Sequence, residues 1–414
     1  MILKQLFNQN NLLKSLMLFI AACIWLPCIH FFYKPDIREY RSNEGISLKA
    51  RMIAASHLEI WTDPELRELE FRKMRAQNPE WDFMSRTYFV LALANMSLRD
   101  EKYKQQSCEI IDAILDNTLR IEREKEFYQF LLDYGYSDSW VMRPPRSQFI
   151  DGEIALMLAA RRLIEEKAAY IPLLSERVEI MVSRMRQSPV LCAESYPNEY
   201  WVFCNTMSLA AIRMADVLDG TDHSAFLSSW INTAKKKLTE SESGLLISAF
   251  DVNGTPVLSG FGPEGTSIWM ACNMLQIVDR KFAEDQYRRA RKELFDSFLG
   301  FGYSREWPTS SVGVADVDSG PIIPYLGASA SASGLALIAA AGFDDTEFFS
   351  SLITSLNFAG FPTEKDGKLS YEASNPVGDA VMLYAIVEGP LWNEVERRSS
   401  QWIITRKTAQ ESRL

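Results

Sequence analysis

Five loops of this 414-residue sequence combine carboxylates with glycine, proline or aromatic residues, a composition that is typical of acid/base sites. A carboxyl group can donate or accept a proton, and two carboxyls in different surroundings can take opposite roles. The same residue types also cap helices and form turns, so a structural role stays open for each of them. The loops are 142–153, 192–200, 260–265, 316–321 and 371–376. The carboxylates that we expect to transfer protons are Glu153, Glu199, Asp316 and Asp318.

Twelve amphipathic segments predict the helices that must position these loops. In successive pairs the first segment is richer in small apolar residues, as in 328–341, and the second is more charged, as in 287–292. A helix that is apolar all round is buried and a one-sided helix lies at the surface, which predicts an inner ring inside an outer ring. We therefore expect an all-α protein, an (α/α)6 toroid of six hairpins; an open superhelical array is the alternative. The segments are about 83–98, 101–119, 149–166, 171–187, 200–219, 223–239, 265–280, 282–299, 327–342, 345–358, 377–388 and 391–406.

The loops that enter the inner helices would meet at one end of such a toroid. This end is where we expect the reaction chemistry, since the five carboxylate-bearing loops would converge there. We divide the chain into an N-terminal anchor or signal sequence at 1–34, a lead-in segment at 35–80 and the barrel domain at 81–410.

The N-terminus carries a nearly uninterrupted apolar run over 16–33. Eighteen helical residues at about 1.5 Å each span roughly 27 Å, enough for a thin bilayer core. We expect one transmembrane helix, with a cleaved signal peptide as the alternative. The positive-inside rule opposes export because five basic residues follow between 34 and 51, whereas the short basic N-tail favours it. Our prediction is a membrane-anchored protein with its soluble domain outside the cytoplasm, in the periplasm.

Composition argues against several other function classes. The chain has 44 Lys+Arg against 54 Asp+Glu, a net charge of −10, and no basic stripe that would bind nucleic acid. Its three histidines form no ligand cluster with the six cysteines, so we expect no metal. Gly260, Gly262 and Gly265 match the dinucleotide pattern G-x-G-x-x-G, but Pro263 and Glu264 oppose pyrophosphate binding. We therefore expect no cofactor.

The segment 196–205, which reads YPNEYWVFCN, resembles the cysteine-bearing segment of the linalool dehydratase/isomerase family. The resemblance continues through 216–222, Trp230, 244–250 and 316–320, and 152–158 falls on the Gly-His-Leu segment of the family. In all it covers about residues 80–345. The resemblance implies an (α/α)6 barrel and a cofactor-free, exported enzyme that hydrates, dehydrates and isomerises a terpene alcohol.

The departures from the family pattern concern its functional residues. Cys204 stands on the second functional cysteine, whereas Ser195 or Tyr196 occupies the place of the first, and Cys192 lies a few residues upstream. Glu153 stands where the family has its catalytic histidine. The N-terminal catalytic aspartate of the family has three possible counterparts, namely Glu59, Asp63 and Asp82.

Two physical accounts of Cys192 and Cys204 remain open. In an oxidising compartment a disulfide between them would close a short loop and stabilise the fold by roughly 3 kcal/mol. In the cytoplasm both would be free, and Cys204 would then be a small buried apolar residue more often than a nucleophile.

We expect a membrane-anchored, cofactor-free hydro-lyase or isomerase that acts on a small hydroxylated, terpenoid-like substrate. The alternatives are a carbohydrate-active toroid that cleaves a saccharide with paired carboxylates, or a non-catalytic binding protein on the same fold. A homo-oligomer is compatible with the sequence. The expected catalytic residues are Glu153, Cys204, Cys192, Asp316 and Asp318, and the expected substrate-binding residues are Asp151, Tyr196, Asn198, Glu199, Tyr200, Phe261 and Glu264.

Overall fold

The computed structural model describes residues 9–42, 44–136, 138–257, 262–311, 313 and 316–411, and the side chains of these residues except 9, 10, 316 and 402–411. The helices are α1 Gln9–Trp25, α2 Ile37–Tyr40, α3 Leu48–Thr62, α4 Pro64–Gln77, α5 Pro79–Arg99, α6 Lys104–Lys125, α7 Gln148–Ile164, α8 Tyr170–Met185, α9 Val202–Asp219, α10 Ser224–Lys237, α11 Gly265–Leu275, α12 Arg280–Glu293, α13 Ala330–Gly342, α14 Thr346–Ala359, α15 Pro376–Val387 and α16 Pro390–Glu411. The strands are β1 Tyr200–Trp201, β2 Ala249–Phe250, β3 Phe295–Phe298, β4 Phe301–Arg305, β5 Asp316–Val317, β6 Gly320–Ile323, β7 Ala328–Ser329, β8 Pro362–Lys365 and β9 Lys368–Tyr371.

Six helices form a closed inner ring. Helices α5, α7, α9, α11, α13 and α15 each contact the next in this order, and α15 contacts α5. Their residues are apolar on nearly every side, as in the segment ASGLALIAAAG of α13, so they are buried from all directions. The ring closure excludes the open superhelical array and agrees with the predicted toroid.

The outer layer differs from the prediction at the sixth pair. Helices α6, α8, α12 and α14 each pack on the inner helix that precedes them, as expected. The predicted sixth outer helix, α16, instead contacts α5, α7 and α9. Its Arg398 donates to the Leu163 carbonyl at the end of α7, and the Leu391 amide donates to Asn95 near the end of α5. Helix α16 therefore closes the C-terminal end of the ring.

Helix α3 packs where a sixth outer helix would lie. It contacts α15 and α6, and α4 packs on α5. Ala50, Ile53 and Trp61 of α3 are buried. The segment that the sequence indicated as a lead-in thus packs on the ring itself.

All six inner helices begin at the same end of the ring, as predicted. Adjacent entry loops are joined there by backbone hydrogen bonds, such as Gln148 N to Glu194 O at 3.0 Å and Gly265 N to Glu306 O at 2.7 Å. Side chains cap three of these N-termini: Asn78 accepts from the Glu80 amide, Ser329 from the Ala332 amide and Asn375 from the Gly378 amide. The loops are therefore held rigidly at this end of the ring, which we call the mouth.

Short strands that the sequence analysis did not predict shape the mouth. A five-stranded sheet has the order β3-β4-β7-β6-β5, and β1 pairs with β2 through Tyr200 opposite Phe250. Gly265 lies against this sheet, because a side chain there would come within 2.5 Å of the Arg305 carbonyl oxygen. The glycine is thus required for close packing of α11 on β4. Gly260 of the same motif lies outside the described residues.

The apolar N-terminal segment is a helix that stands away from the ring. The segment Asn11–Tyr40 is long and apolar enough to cross a membrane, and none of its most apolar window is buried. A 3-10 turn, Leu26–Phe32, joins it to the domain and contacts α14. One exposed apolar helix near the N-terminus suits a membrane anchor or a signal sequence.

Candidate active site

Glu153 lies in α7, in the mouth, with a fully buried side chain. Its Oε2 accepts a hydrogen bond from the Thr87 hydroxyl of α5 at 2.5 Å. Its Oε1 is buried without a hydrogen-bond partner among the described residues. Burial raises the pKa of Glu153 to about 8, against the opposing effect of the Thr87 hydrogen bond. Glu153 is therefore largely protonated at neutral pH and has one oxygen available to a ligand.

Glu80, the second residue of α5, is an acidic neighbour whose charge acts on Glu153. Its negative charge contributes to the raised pKa of Glu153. Oε1 of Glu80 accepts from the Tyr196 hydroxyl at 2.5 Å, and that hydroxyl accepts from the Leu132 amide at 3.0 Å. Burial raises the pKa of Glu80 to about 7, although the Tyr196 hydrogen bond lowers it. Glu80 is thus about half ionised near pH 7.

Cys204 and Tyr88 complete the buried part of the cluster. Burial raises the pKa of the Cys204 thiol well above its ordinary value, and a hydrogen bond with Ser195 opposes this. The Tyr88 hydroxyl is buried without a partner among the described residues, and the charges of Glu153 and Cys204 add to the effect of burial on its pKa. Both groups are protonated at neutral pH, so Cys204 is a neutral thiol rather than a nucleophilic thiolate.

Three further carboxylates line the outer part of the mouth. Glu199 Oε2 accepts from Trp201 Nε1 at 3.3 Å and from the Tyr134 hydroxyl at 3.4 Å. Asp318 is exposed, and its charge contributes to the raised pKa values of Glu80, Glu199 and Glu264. Burial raises the pKa of Glu264, which precedes α11, to about 8. Acidic groups therefore extend from the surface at Asp318 to the buried Glu153.

Two electrostatic effects act on these carboxyls in opposite directions. The N-terminus of each inner helix carries a partial positive charge, which stabilises a nearby carboxylate. Removal from water and the mutual repulsion of the acids disfavour the same charge. Since the pKa values of Glu80, Glu153 and Glu264 are all raised, burial is the stronger effect. The mouth can therefore hold protonated carboxylic acids at neutral pH.

Cys192 does not reach this cluster. It is fully buried against Trp230, whose indole Nε1 donates to the Cys192 sulfur at 3.3 Å. Burial raises the pKa of Cys192 to about 12. Cys192 and Cys204 are both free thiols, so the disulfide account does not describe this structure. The sequence spacing could not distinguish these two positions, because their separation depends on how the loop packs on α10.

Asp151 is held in an ion-pair network instead of facing the cluster. It contacts Arg146 at 2.5 Å and Arg177 of α8 at 2.5 Å, and both arginines also contact Glu122. Burial alone would raise the pKa of Asp151, but the hydrogen bond with Arg146 and the charge of Arg177 lower it. A buried carboxylate that is paired with two arginines and has a lowered pKa is typical of a residue that stabilises the fold.

Two other residues that we expected to bind substrate, Tyr200 and Asn198, have surroundings that suit a role in the fold. Tyr200 is buried in β1 and stacks on Phe250 with 6.2 Å between ring centroids. Asn198 is exposed at the tip of the 196–199 turn with a φ of 59°, a left-handed conformation that Asn tolerates well. Phe261 and the side chain of Asp316 lie outside the described residues.

The residue that sequence reasoning missed is Glu80. The three expected counterparts of the family's N-terminal aspartate have other partners: Asp82 pairs with Arg75 and Arg86, Asp63 caps α4, and Glu59 pairs with Lys368. Glu80 follows Pro79 in the first helical turn. Acidic residues are common there because they interact favourably with the positive end of the helix dipole, so Glu80 does not stand out in the sequence. Its position at the head of the first apolar helix was the signal that could have identified it.

The comparison with protein families decides the assignment. The sequence profile of the linalool dehydratase/isomerase family matches residues 174–377. Over this segment the chain is similar to the linalool dehydratase/isomerase family, which supports a remote member of that family. The matched segment includes Cys204, Glu264 and Asp318 but begins after Glu80 and Glu153, so the roles of these two rest on geometry.

The match to the linalool dehydratase/isomerase family supports an enzyme of the isomerase or lyase kind. Among the described residues, no three or more His, Cys, Asp or Glu side chains are arranged to hold a metal ion. The groups that the described structure brings together in the mouth are carboxyl, thiol and hydroxyl groups. They can transfer protons and form hydrogen bonds.

Three solved structures are similar to this chain at low identity. A possible member of the GH105 family from Salmonella enterica serovar Paratyphi A shares 12% identity over 74% of this chain and 82% of its own, with a TM-score of 0.49. A D-mannose isomerase shares 13% identity over 74% and 86%, with a TM-score of 0.48. A GH76 α-mannanase from Bacteroides thetaiotaomicron shares 11% over 76% and 87%, with a TM-score of 0.45. The ring closure described above is established independently by the helix contacts of this chain.

Proposed function

We propose that this linalool dehydratase/isomerase relative is a cofactor-free hydro-lyase or isomerase that acts on a small alkenol, with Glu153 as the acid and Glu80 as the base. The observation that carries the proposal is that the charge of Glu80 acts on Glu153 at the mouth, while Oε1 of Glu153 is buried and unpartnered among the described residues. Two neighbouring carboxyls with separated pKa values can serve as donor and acceptor in one reaction.

In the proposed dehydration the proton of Glu153 passes to the hydroxyl of the substrate. The carbon–oxygen bond breaks and water leaves, while Glu80 takes a proton from the adjacent carbon and a carbon–carbon double bond forms. Glu153 ends ionised and Glu80 ends protonated, and proton exchange with water restores both groups. Hydration is the reverse. We assign the neutral thiol of Cys204 and the hydroxyl of Tyr88 to hydrogen-bond the departing oxygen, because both groups are protonated near Glu153.

The burial of the reacting groups favours a small substrate over a polysaccharide. Glu153 is fully buried and Cys204 is only 6% exposed, whereas a long saccharide chain needs an open groove. Aromatic rings surround the cluster, since Tyr88 stacks on Tyr384 and Phe83 packs on Phe149. An apolar alkenol fits such walls better than a sugar does.

The test is product analysis with the purified full-length chain and a panel of small alkenols and oligosaccharides. We expect an alkenol to be dehydrated or isomerised, and Glu153→Gln and Glu80→Gln each to reduce the rate by about 10²–10⁴-fold. Glu388→Gln is the matched control, because Glu388 is equally buried with a raised pKa but lies after α15, at the opposite end of the ring. Turnover of an oligosaccharide alone, or full activity of Glu153→Gln, would overturn the proposal.

We also propose that α1 is retained as a membrane anchor and that the domain lies outside the cytoplasm, in the periplasm. The support is the apolar helix, exposed over its whole apolar window, which continues directly into the 3-10 turn packed on the domain. A reporter fused after Arg51 tests the orientation. An active cytoplasmic reporter would contradict the periplasmic placement, and loss of α1 from the mature protein by mass spectrometry would contradict the anchor.

A further inference from the structure

Exposed apolar side chains form a continuous patch beside the point where α1 joins the domain. They come from three separate parts of the chain, namely the 3-10 turn, the β3–β4 hairpin tip, and the end of α14 with the turn that follows it. Large exposed apolar surfaces on a soluble domain mark an interaction site. The residues, which we call the apolar patch, are Phe31, Phe32, Phe298, Leu299, Phe358 and Phe361, with exposures of 63%, 78%, 54%, 38%, 46% and 65%.

Ring contacts beneath the surface fix the parts of the patch to each other. The Phe301 and Phe358 rings are 4.7 Å apart, and Tyr33 packs edge-on against Phe358 at 5.1 Å. Gly300, at the hairpin tip, lies so close to the His30 ring that any side chain there would overlap it. The hairpin tip and the 3-10 turn therefore form one packed unit, and the patch has a fixed position relative to the end of α1.

We infer that the apolar patch inserts into the headgroup region of the same lipid bilayer that α1 spans. The inference rests on the proposed membrane anchor. The 3-10 turn that carries Phe31 and Phe32 follows directly on the exposed apolar helix, so a bilayer that α1 spans would end beside the patch. Aromatic side chains are enriched at this depth of a membrane, and the exposed Lys34 beside them suits the headgroup layer.

This contact would place one side of the mouth near the membrane surface. Strand β4 begins at Phe301, under the patch, and Glu306 follows its last residue in the mouth. Five residues of extended chain span about 16 Å. An apolar substrate that partitions into the bilayer would therefore have a short route to the acid cluster.

The test uses environment-sensitive labels on the full chain in lipid vesicles. A fluorophore is attached at Leu299→Cys or Phe361→Cys in a Cys23→Ser/Cys28→Ser background, where the other four cysteines are buried. Leu69→Cys on α4 is the matched control, because Leu69 is an exposed apolar residue away from the patch. The native Cys23, labelled in a Cys28→Ser chain, reports on α1 itself. Quenching is measured with brominated lipids and with aqueous iodide, after circular dichroism has established that each variant is folded.

We expect brominated lipids to reduce the fluorescence at positions 23, 299 and 361 about twofold and to leave position 69 unchanged. Aqueous iodide should quench the label at position 69 and leave the labels at the other three positions unchanged. If position 23 is quenched by lipid while 299 and 361 behave as 69 does, the patch inference is wrong and the anchor stands. If position 23 is not quenched by lipid, the anchor fails and the patch inference with it. Protection of 299 and 361 from both quenchers would show that a second copy or another protein covers the patch, which also overturns the inference.

Discussion

The hydroxyl of Tyr196, in the loop before α9, donates to Oε1 of Glu80, the second residue of α5, over 2.5 Å. This bond joins the loop before α9 to the first turn of α5, between residues that are 116 positions apart, and it favours the ionised form of Glu80. In the proposed mechanism it maintains Glu80 as a base near neutral pH.

Tyr196→Phe tests this relationship. Loss of the donor removes an effect that lowers the pKa of Glu80, so the pKa should rise from about 7 by roughly one to two units. The low-pH limb of kcat/KM should move upward by the same amount, while the upper limb near pH 8 stays with Glu153, so the bell narrows and its maximum falls. Tyr200→Phe is the control, because Tyr200 is buried without a hydroxyl partner among the described residues. An unshifted limb in Tyr196→Phe would contradict the role of this bond.

The two loop cysteines should behave differently when they are substituted. Cys192→Ala removes the acceptor of the Trp230 indole and leaves a small void, so we expect the free energy of unfolding to fall by about 1 kcal/mol with kcat little changed. Cys204→Ala should lower kcat with a smaller effect on stability. Thermal melts and kinetics of both variants distinguish these outcomes, and equal effects on kcat would refute the separate roles.

Stability should depend on pH through the buried carboxyls. The pKa of Glu153 is about 8 when folded and near 4.5 when unfolded, so between these values the folded chain binds the extra proton. The free energy of unfolding should therefore fall as pH rises from about 4.5 to about 8 and level off above that. Glu153→Gln should show a shallower decline between pH 6 and 9 in thermal melts. Parallel curves for the wild type and the variant would mean that Glu153 is not buried as described.

Asp151→Asn should damage the fold more than the chemistry. Asp151 is 1% exposed and neutralises Arg146 and Arg177, and breaking such a buried pair costs about 3 kcal/mol. We expect a clear loss of thermal stability and nearly normal kcat at a temperature where the variant is folded. A large loss of kcat with an unchanged melting temperature would contradict this and would indicate that Asp151 takes part in the reaction.

Periodicity predicted the helices well because burial on one face or on all faces dictates residue spacing. The segment 149–166 corresponds to α7 and 223–239 to α10, and the convergence of the entry loops followed from the toroid. The predicted helix at 282–299 was too long, since it ends at Glu293 and β3 begins at Phe295. Strands of two to five residues have too few positions to display alternation, so the mouth sheet was not predicted.

The candidate site was predicted only in part, because the partners of its residues come from helices and loops that are distant in the sequence. Glu153 was a candidate because it lies near the head of an apolar helix, at the place of the family's histidine, and its catalytic role stays a prediction. Asp151, two residues earlier, was not distinguishable from it, since its partner Arg177 comes from a different helix. Helix α16 was placed outside the ring because its sequence is charged, whereas its buried Leu391 and Trp392 attach it across the end of the ring.

The pH dependence of kcat/KM for the wild-type chain, on whichever alkenol the panel identifies, tests the central claim most directly. We expect a narrow bell, with a lower limb near pH 7 from Glu80, which must be ionised, and an upper limb near pH 8 from Glu153, which must be protonated. Glu153→Gln should keep only residual activity, without the upper limb. A rate that stays constant from pH 6 to 9 in the wild type would contradict the assignment of these two carboxyls as base and acid.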